Sequence, residues 1–313
     1  MPLLLTRRQL LAALGAAGVG RVWPTAADAA ALHDAGEAVA TAKPVIRVVG
    51  FGDFGYQKQG TGQKAVAAAI AARHTAAPYD FGITLGDNFY TRGVKSVKDK
   101  KWNEIWERIY SPLGIPFYAA LGNHDYSGNV QAQVDYTKSS KTWRMPSRYY
   151  TFRAGSAQFF VLDTDEGTAG RLFMRKPWSD RQAQWLDAEL GKSKAAWKIV
   201  YGHHPIRSDG HHGDGTRLIA KLLPVLRRHG VGLYLCGHEH DLQFHRYRDG
   251  SYELHLVVAG GGGKDVRGIE KKRAECAEGR HGFVELAVSA ESLAWSLRGT
   301  QGEVLHGQRL EAR

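Results

Sequence analysis

Five short segments of this 313-residue chain each set a glycine beside side chains that offer electron pairs. They read GDFG (Asp53), GDNFY (Asp87 and Tyr90), GNHD (Asn123, His124 and Asp125), GHHP (His203 and His204) and GHEH (His238 and His240). Carboxylate, phenol, amide and imidazole together suit metal ions, and a carboxylate can bridge two of them. Asp87 is the candidate bridge. That leaves Asp53, Tyr90 and one imidazole for a first cation, and Asn123 with two imidazoles for a second. Such pairs sit roughly 3.5–4 Å apart, close enough to clamp a phosphate ester during in-line attack. Each segment alone is weak. A Gly-Asp turn arises by chance, a lone histidine more often fills a core or surface position, and Phe81 to Tyr90 also reads as an Asp-Asn turn before two core aromatics. Five in succession, each after an apolar run, make the stronger case.

The runs that must position these residues alternate in kind. VIRVVGFGD ends at Asp53, FGITLGDNFY carries Asp87, and PFYAALGNHD ends at Asp125; each reads as a strand with a polar terminus. Gln63 to His74 has helical composition, and Trp102, Ile105, Trp106 and Ile109 fall at helical spacing. Arg148 to Asp165 reads as a hairpin turning near Ala154-Gly155, with Asp163 and Asp165 as loop caps. Ser179 and Gln182 form a capping box for a helix through Leu190, and WKIVYGHHP is another apolar run ending in histidines. Thr216 to Gly230 predicts one amphipathic helix, kinked at Pro224. Beyond VGLYLCGHEHD, the runs ELHLVVAG, FVELAV and LAWSLRG predict antiparallel strands with turns at Asp249-Gly250 and Gln301-Gly302. Strands alternating with helices and then hairpins indicate an α/β sandwich with mixed sheets, whose ligands gather at the carboxyl ends of the strands.

The chain begins with paired arginines, Arg7 and Arg8, before a short apolar stretch and small residues, with Ala27-Asp28-Ala29 as a cleavage site. This reads as a twin-arginine export signal over residues 1–29, too short to anchor in a bilayer, with an ordinary secretory signal as the alternative. Residues 30–313 are then expected to form a single domain in a periplasmic or secreted monomer. The formal charge of +11 favours anionic partners. No stripe of aromatics interleaved with Lys and Arg marks a nucleic-acid surface. With two cysteines, Cys236 and Cys276, there is no disulfide framework, and whether those two pair is left open.

The order of the motifs resembles that of the calcineurin-like metallophosphoesterases, and GDFG with the tyrosine of GDNFY resembles the purple acid phosphatases. The stretches GDNFYTRGV, LGNHDYSGNVQAQVDYTKSSKTW and YLCGHEHDLQ are similar to the small tartrate-resistant type, from about Val45 to Gln243. The resemblance implies a four-layer αββα sandwich and an acid phosphatase that hydrolyses small or protein-borne phosphate monoesters through a metal-bridging hydroxide. Fe(III) would take Asp53, Tyr90 and His240; a divalent iron, zinc or manganese would take Asn123, His203 and His238; Asp87 would be shared. Where the broader family has a histidine in its first motif, this chain has Gly55, and Tyr90 replaces it. His124 would contact the substrate phosphate or assist the leaving group. His212, with His211 as competitor, matches a second histidine near substrate. The stretch Arg171 to Trp178 stands where mammalian-type relatives have a longer loop with cysteines; Arg171, Arg175 and Lys176 could attract esters or form a solvated face. A diesterase or nucleotidase on the same scaffold, and an exported metal or redox protein, are the rival readings.

Overall fold

The computed structural model describes residues 45–56, 61–165 and 180–312. The export signal, Arg171, Arg175, Lys176 and Ser179 lie outside the described residues.

Strands β1 (Ile46–Phe51), β2 (Phe81–Leu85) and β3 (Phe117–Ala120) run parallel, with Val48 opposite Phe81 and Gly82 opposite Phe117. They are short apolar runs, and β2 and β3 are buried at every residue, as parallel strands covered on both faces should be. Helix α1 (Thr61–Ala76) crosses over between β1 and β2. Past β3 come two short helices, α2 (Asn123–Tyr126) and α3 (Val130–Tyr136), then β4 (Trp143–Arg144). The hairpin β5 (Tyr150–Ala154) and β6 (Ala157–Val161) turns at Gly155, whose φ of 53° is left-handed. Then follow α4 (Asp180–Lys192), β7 (Trp197–Tyr201), α5 (Thr216–Lys221), α6 (Leu223–Arg228) and β8 (Leu233–Cys236). Six strands close the chain: β9 (Leu242–Asp249), β10 (Tyr252–Ala259), β11 (Cys276–Glu278), β12 (Gly282–Val288), β13 (Ser292–Gly299) and β14 (Val304–Glu311).

These strands build two mixed sheets of seven, ordered β14-β13-β12-β1-β2-β3-β4 and β11-β9-β10-β8-β7-β6-β5. The sheets pack face to face. Phe81 of the first meets Phe152 and Phe159 of the second edge-on, at 5.6 and 5.3 Å between ring centres. Leu186, Leu190, Leu218, Leu222 and Leu226 of α4 to α6 cover the outside of the second sheet over Phe160, Val200 and Tyr234. Val66 and Ile70 of α1, with Trp106 and Tyr110, belong to the main core on the first sheet's side, where Tyr110 stacks on Phe51 at 4.7 Å. The result is the expected αββα order of layers.

Local departures have local causes. Trp102–Glu107 winds as a π-helical turn rather than an α-helix, burying Trp102, Ile105 and Trp106. The Thr216 to Gly230 segment is broken, not kinked: α5 stops and α6 starts around Leu222, because Pro224 has no N–H to give the preceding turn. The capping box drawn from Ser179 to Gln182 lies outside the described residues at its Ser179 end, and the side chain of Gln182 has a tertiary use as well. It pairs with the backbone of Asp163 through both its oxygen (2.9 Å) and its nitrogen (3.0 Å), fixing the end of β6. Asp163 in turn accepts from the hydroxyl of Tyr126, so it ties α2 to the second sheet instead of merely capping a loop. Cys236 is buried, Cys276 is half-buried, and both are free thiols. Among the described residues no helix is long and apolar enough to cross a membrane.

Candidate metal centre

In one sheet β1, β2 and β3 are parallel, and in the other β6, β7, β8 and β10 are. Their carboxyl ends meet at one edge. Gly52 donates to the carbonyl of Ala259 (2.8 Å) and Gly237 to that of His203 (3.0 Å), lacing the strand ends together. The backbone there is strained in a specific way. Asp53, Asp87 and His238 have φ of 58°, 50° and 71°, left-handed values that non-glycine residues adopt at a cost.

The strand ends deliver two groups of donors around Asp87. On one side the Tyr90 hydroxyl lies 2.8 Å from Oδ1 of Asp53, 2.9 Å from Oδ2 of Asp87 and 3.4 Å from Nε2 of His240. On the other, Nε2 of His203 stands 3.1 Å from Oδ1 of Asn123, 3.1 Å from Nδ1 of His238 and 3.5 Å from Oδ1 of Asp87. The two oxygens of Asp87 thus face different groups. His238 and His240, two residues apart, also divide between them. Gly55 explains why no side chain follows GDF here: a Cβ on it would stand 2.0 Å from the carbonyl of Asn88.

Outer contacts orient the rings. The Nδ1–H of His203 donates to the carbonyl of Leu85 (2.9 Å) and that of His240 to the carbonyl of Asp265 (2.9 Å). Each ring therefore turns a bare Nε2 toward the centre, the arrangement metal-binding histidines adopt. Burial pushes the carboxyl of Asp53 well above its ordinary range, with Asp87 adding to the effect, and raises Asp87 too. Burial also raises the Tyr90 phenol, and it lowers His203 and His240 to about 3 and His238 well below its usual value. Neutral imidazoles are what a cation needs. Crowded buried acids that cannot easily ionise alone are what a cation would relieve. The donor set fits a pair of cations.

His124 and His212 flank this cluster. The backbone N–H of His124 donates to Oδ1 of Asp87 (2.8 Å), its Nδ1–H is held by the carbonyl of Thr91 (2.7 Å), and Nε2 lies 4.0 Å from Asp87. The ring of His212 stacks on that of His238 at 4.1 Å. His211 faces outward to Glu270 (3.0 Å). A cavity of about 720 Å³ is lined by Asn123, His204, His212 and His238 along with Tyr126 and Arg217.

Several contributors were given no role of their own from the sequence. His204 reaches the cavity with its ring 4.4 Å from that of His238 and its Nδ1 2.8 Å from the hydroxyl of Thr164. Asp125, fully buried, accepts from the backbone of Asn88 and Gly122 and from the side chains of Asn88 and Gln133, locking the loops after β2 and β3 together. Gly260 to Gly263 pass so near that a Cβ on Gly260 or Gly262 would lie 2.0 Å from the carbonyl of Glu239 or 2.2 Å from that of Gly52. The run of four glycines was the available signal.

At the rim, Arg273 grips Asp214 through two nitrogens (2.9 and 2.7 Å) and holds its carboxyl down to about 2. The stabilisation this implies is present above the unfolded value near 3.9 and fades as pH falls toward about 2. Asp214→Asn should therefore cost about 1 kcal/mol or less at pH 5 and 7 alike, Arg273 being 45% exposed, and the gap should close below pH 4. Thermal unfolding of the two proteins across that range measures it.

This fold, with paired donor groups at the carboxyl edge of two sheets, is that of a metallophosphoesterase. The calcineurin-like phosphoesterase family model matches residues 46–242. The tartrate-resistant acid phosphatase type 5 of Sus scrofa is 36% identical over 241 residues, covering 70% of each chain. Purple acid phosphatase 7 of Arabidopsis thaliana is 33% identical over 84% of this chain and 85% of that one. Among solved structures, GAP50, the anchor in the inner membrane complex of Plasmodium, shares the fold with a TM-score of 0.71 at 24% identity, covering 87% of this chain and 90% of that one. The purple acid phosphatase PPD1 of yellow lupin (Lupinus luteus) seeds does so at 0.63 and 18%, covering 85% and 54%. The chain belongs to the calcineurin-like phosphoesterase family, among the purple acid phosphatases of the tartrate-resistant kind, and is a hydrolase.

Proposed function

We propose that the chain is an acid phosphatase hydrolysing phosphate monoesters, small or protein-borne, at a dinuclear centre. Asp53, Tyr90 and His240 hold one cation, Asn123, His203 and His238 the other, and Asp87 lies between them. The observation that supports this reading is the division of donors about the two oxygens of Asp87, beside a cavity large enough for an ester. Phenolate is a hard anionic donor suited to ferric iron; a divalent iron, zinc or manganese suits the second group. Bound there, the pair supplies Lewis acidity toward phosphoryl oxygens and an acidified water.

The chain's own residues prepare the rest. Tyr90 must surrender its phenolic proton as the centre fills. His124, its Nδ1–H occupied by Thr91, keeps Nε2 for the phosphate or the leaving oxygen. His212 approaches from the cavity side, stacked on His238. No side-chain nucleophile or phosphoenzyme is required. Export along the twin-arginine route to the periplasm or beyond, as a monomer, completes the reading and suits a protein that acquires metals while folding inside the cell.

Hydrolysis of p-nitrophenyl phosphate with little action on bis-p-nitrophenyl phosphate is the expected result, and the reverse order would make the chain a diesterase. Peroxidase turnover matching the phosphatase rate would instead favour a redox protein. The purified protein should absorb visible light by phenolate-to-iron charge transfer, and Tyr90→Phe should bleach it. An unchanged spectrum in that variant rules out Tyr90 as a ligand.

A further inference from the structure

Between His238 and His240 stands Glu239, whose side chain is fully buried. It faces away from the donors and into the loop carrying His212. There its Oε1 accepts three hydrogen bonds: from the Ser208 hydroxyl (2.8 Å), the backbone N–H of His212 (2.8 Å) and the backbone N–H of Gly213 (3.1 Å). Ser208, so held, accepts from the N–H of Gly210 (2.9 Å). Gly210 admits the carboxylate only because it lacks a side chain; a Cβ there would lie 2.7 Å from both Cδ and Oε2. The other oxygen, Oε2, is buried with no hydrogen-bond partner among the described residues.

A buried carboxylate with one unsatisfied oxygen is costly, and core packing gives no reason for it. What it accomplishes is mechanical. Its backbone belongs to the turn that presents two metal donors, and its side chain grips the main chain of His212 at the residue itself. The His212 ring then lies on His238, where Nη1 of Arg267 reaches its Nε2 at 2.5 Å.

We infer that Glu239 is a positioning residue that locks the His212 loop to the metal-binding turn, so that the substrate-side histidine is set by the same segment that holds the metals. This rests on the reading of His212 as a substrate-side group. The link needs an acceptor oxygen at Oε1 and does not need the charge.

The direct readout is amide hydrogen exchange in the metal-loaded, full-length protein. In Glu239→Ala the amides of His212 and Gly213 should lose at least about tenfold of their protection, while Glu239→Gln, which keeps the oxygen, should retain it. With p-nitrophenyl phosphate, Glu239→Ala should lower kcat/KM by about 10–100-fold, as loss of an outer-shell partner does. Glu239→Gln should restore most of that loss. The visible band of the centre should survive in both variants. Combining Glu239→Ala with His212→Ala should cost no more than the worse single change, because both act through one group.

Unchanged protection at the two amides in Glu239→Ala overturns the inference, as does a Gln variant as impaired as the Ala one. Additive losses in the double variant overturn it too. Loss of the visible band in both variants would show that Glu239 supports the metals and not the loop. A His212→Ala protein with full activity would instead remove the role given to His212, and the exchange measurement would still decide whether Glu239 holds the loop.

Discussion

Asp87→Ala should leave a protein with at most one metal ion per chain and with p-nitrophenyl phosphate turnover reduced by well over a hundredfold. Partners that only orient ligands are worth about 10–100-fold, and Asp87 is proposed as a ligand itself. Its Oδ2 lies 2.9 Å from the Tyr90 hydroxyl and its Oδ1 3.5 Å from Nε2 of His203, so its two oxygens face the two donor groups. Oδ1 also accepts the backbone N–H of His124, so the substitution loosens that histidine as well. Asp87→Asn is the finer probe, since an amide offers one acceptor oxygen where the carboxylate offers two. Metal analysis and the visible spectrum read the outcome independently of turnover. Two metals and undiminished turnover in the alanine variant would defeat the bridging assignment.

A single methyl group at a site with no chemistry of its own should be nearly as damaging. Gly260→Ala would put a Cβ 2.0 Å from the carbonyl of Glu239 and 2.8 Å from Oδ2 of Asp53. Both neighbours belong to the segments that carry the donors, so relieving the clash displaces either the His238 to His240 turn or the Asp53 loop. Overpacking of this kind costs on the order of 3 kcal/mol, and here the strain falls where the metals must be held. Lower thermal stability together with lost metal is the expected pair of results. Gly268→Ala, where a Cβ meets nothing within 4 Å, is the control and should behave as the parent protein does. A Gly260→Ala protein with full metal content and parental stability would show that the backbone there can yield.

Much of this was legible because the chain places one donor cluster after each apolar run. Asp53, Asp87, Asn123, His203 and His238 all follow strands that the composition predicts, and in parallel strands such positions must share an edge. What escaped depended on partners far away in sequence. The glycines at 260–263 are visible as letters, but the purpose of Gly260 and Gly262 lies in Glu239 and Gly52, against whose carbonyls they pack. Glu239 was given no role from the sequence, and its use appears only once the loop from Ser208 to Gly213 is folded over it. Asp163 caps its loop by accepting from the N–H of Asp165, yet Asp163 and Gln182 also take tertiary partners that no local pattern shows. Pro224 announced a disturbance, read from the sequence as a kink, and the structure shows the helix ending and restarting around Leu222.

The left-handed backbone at Asp53, Asp87 and His238 has a historical corollary. Each non-glycine residue so placed gives up about 1–2 kcal/mol that glycine would not, and only a ligand's service justifies keeping it. A descendant of this chain that ceased to bind metal would be released from that obligation. Glycine would stabilise it at all three points, and the abandoned centre would survive as a trio of glycines at the mouths of three strands, a fossil recognisable after every histidine had gone.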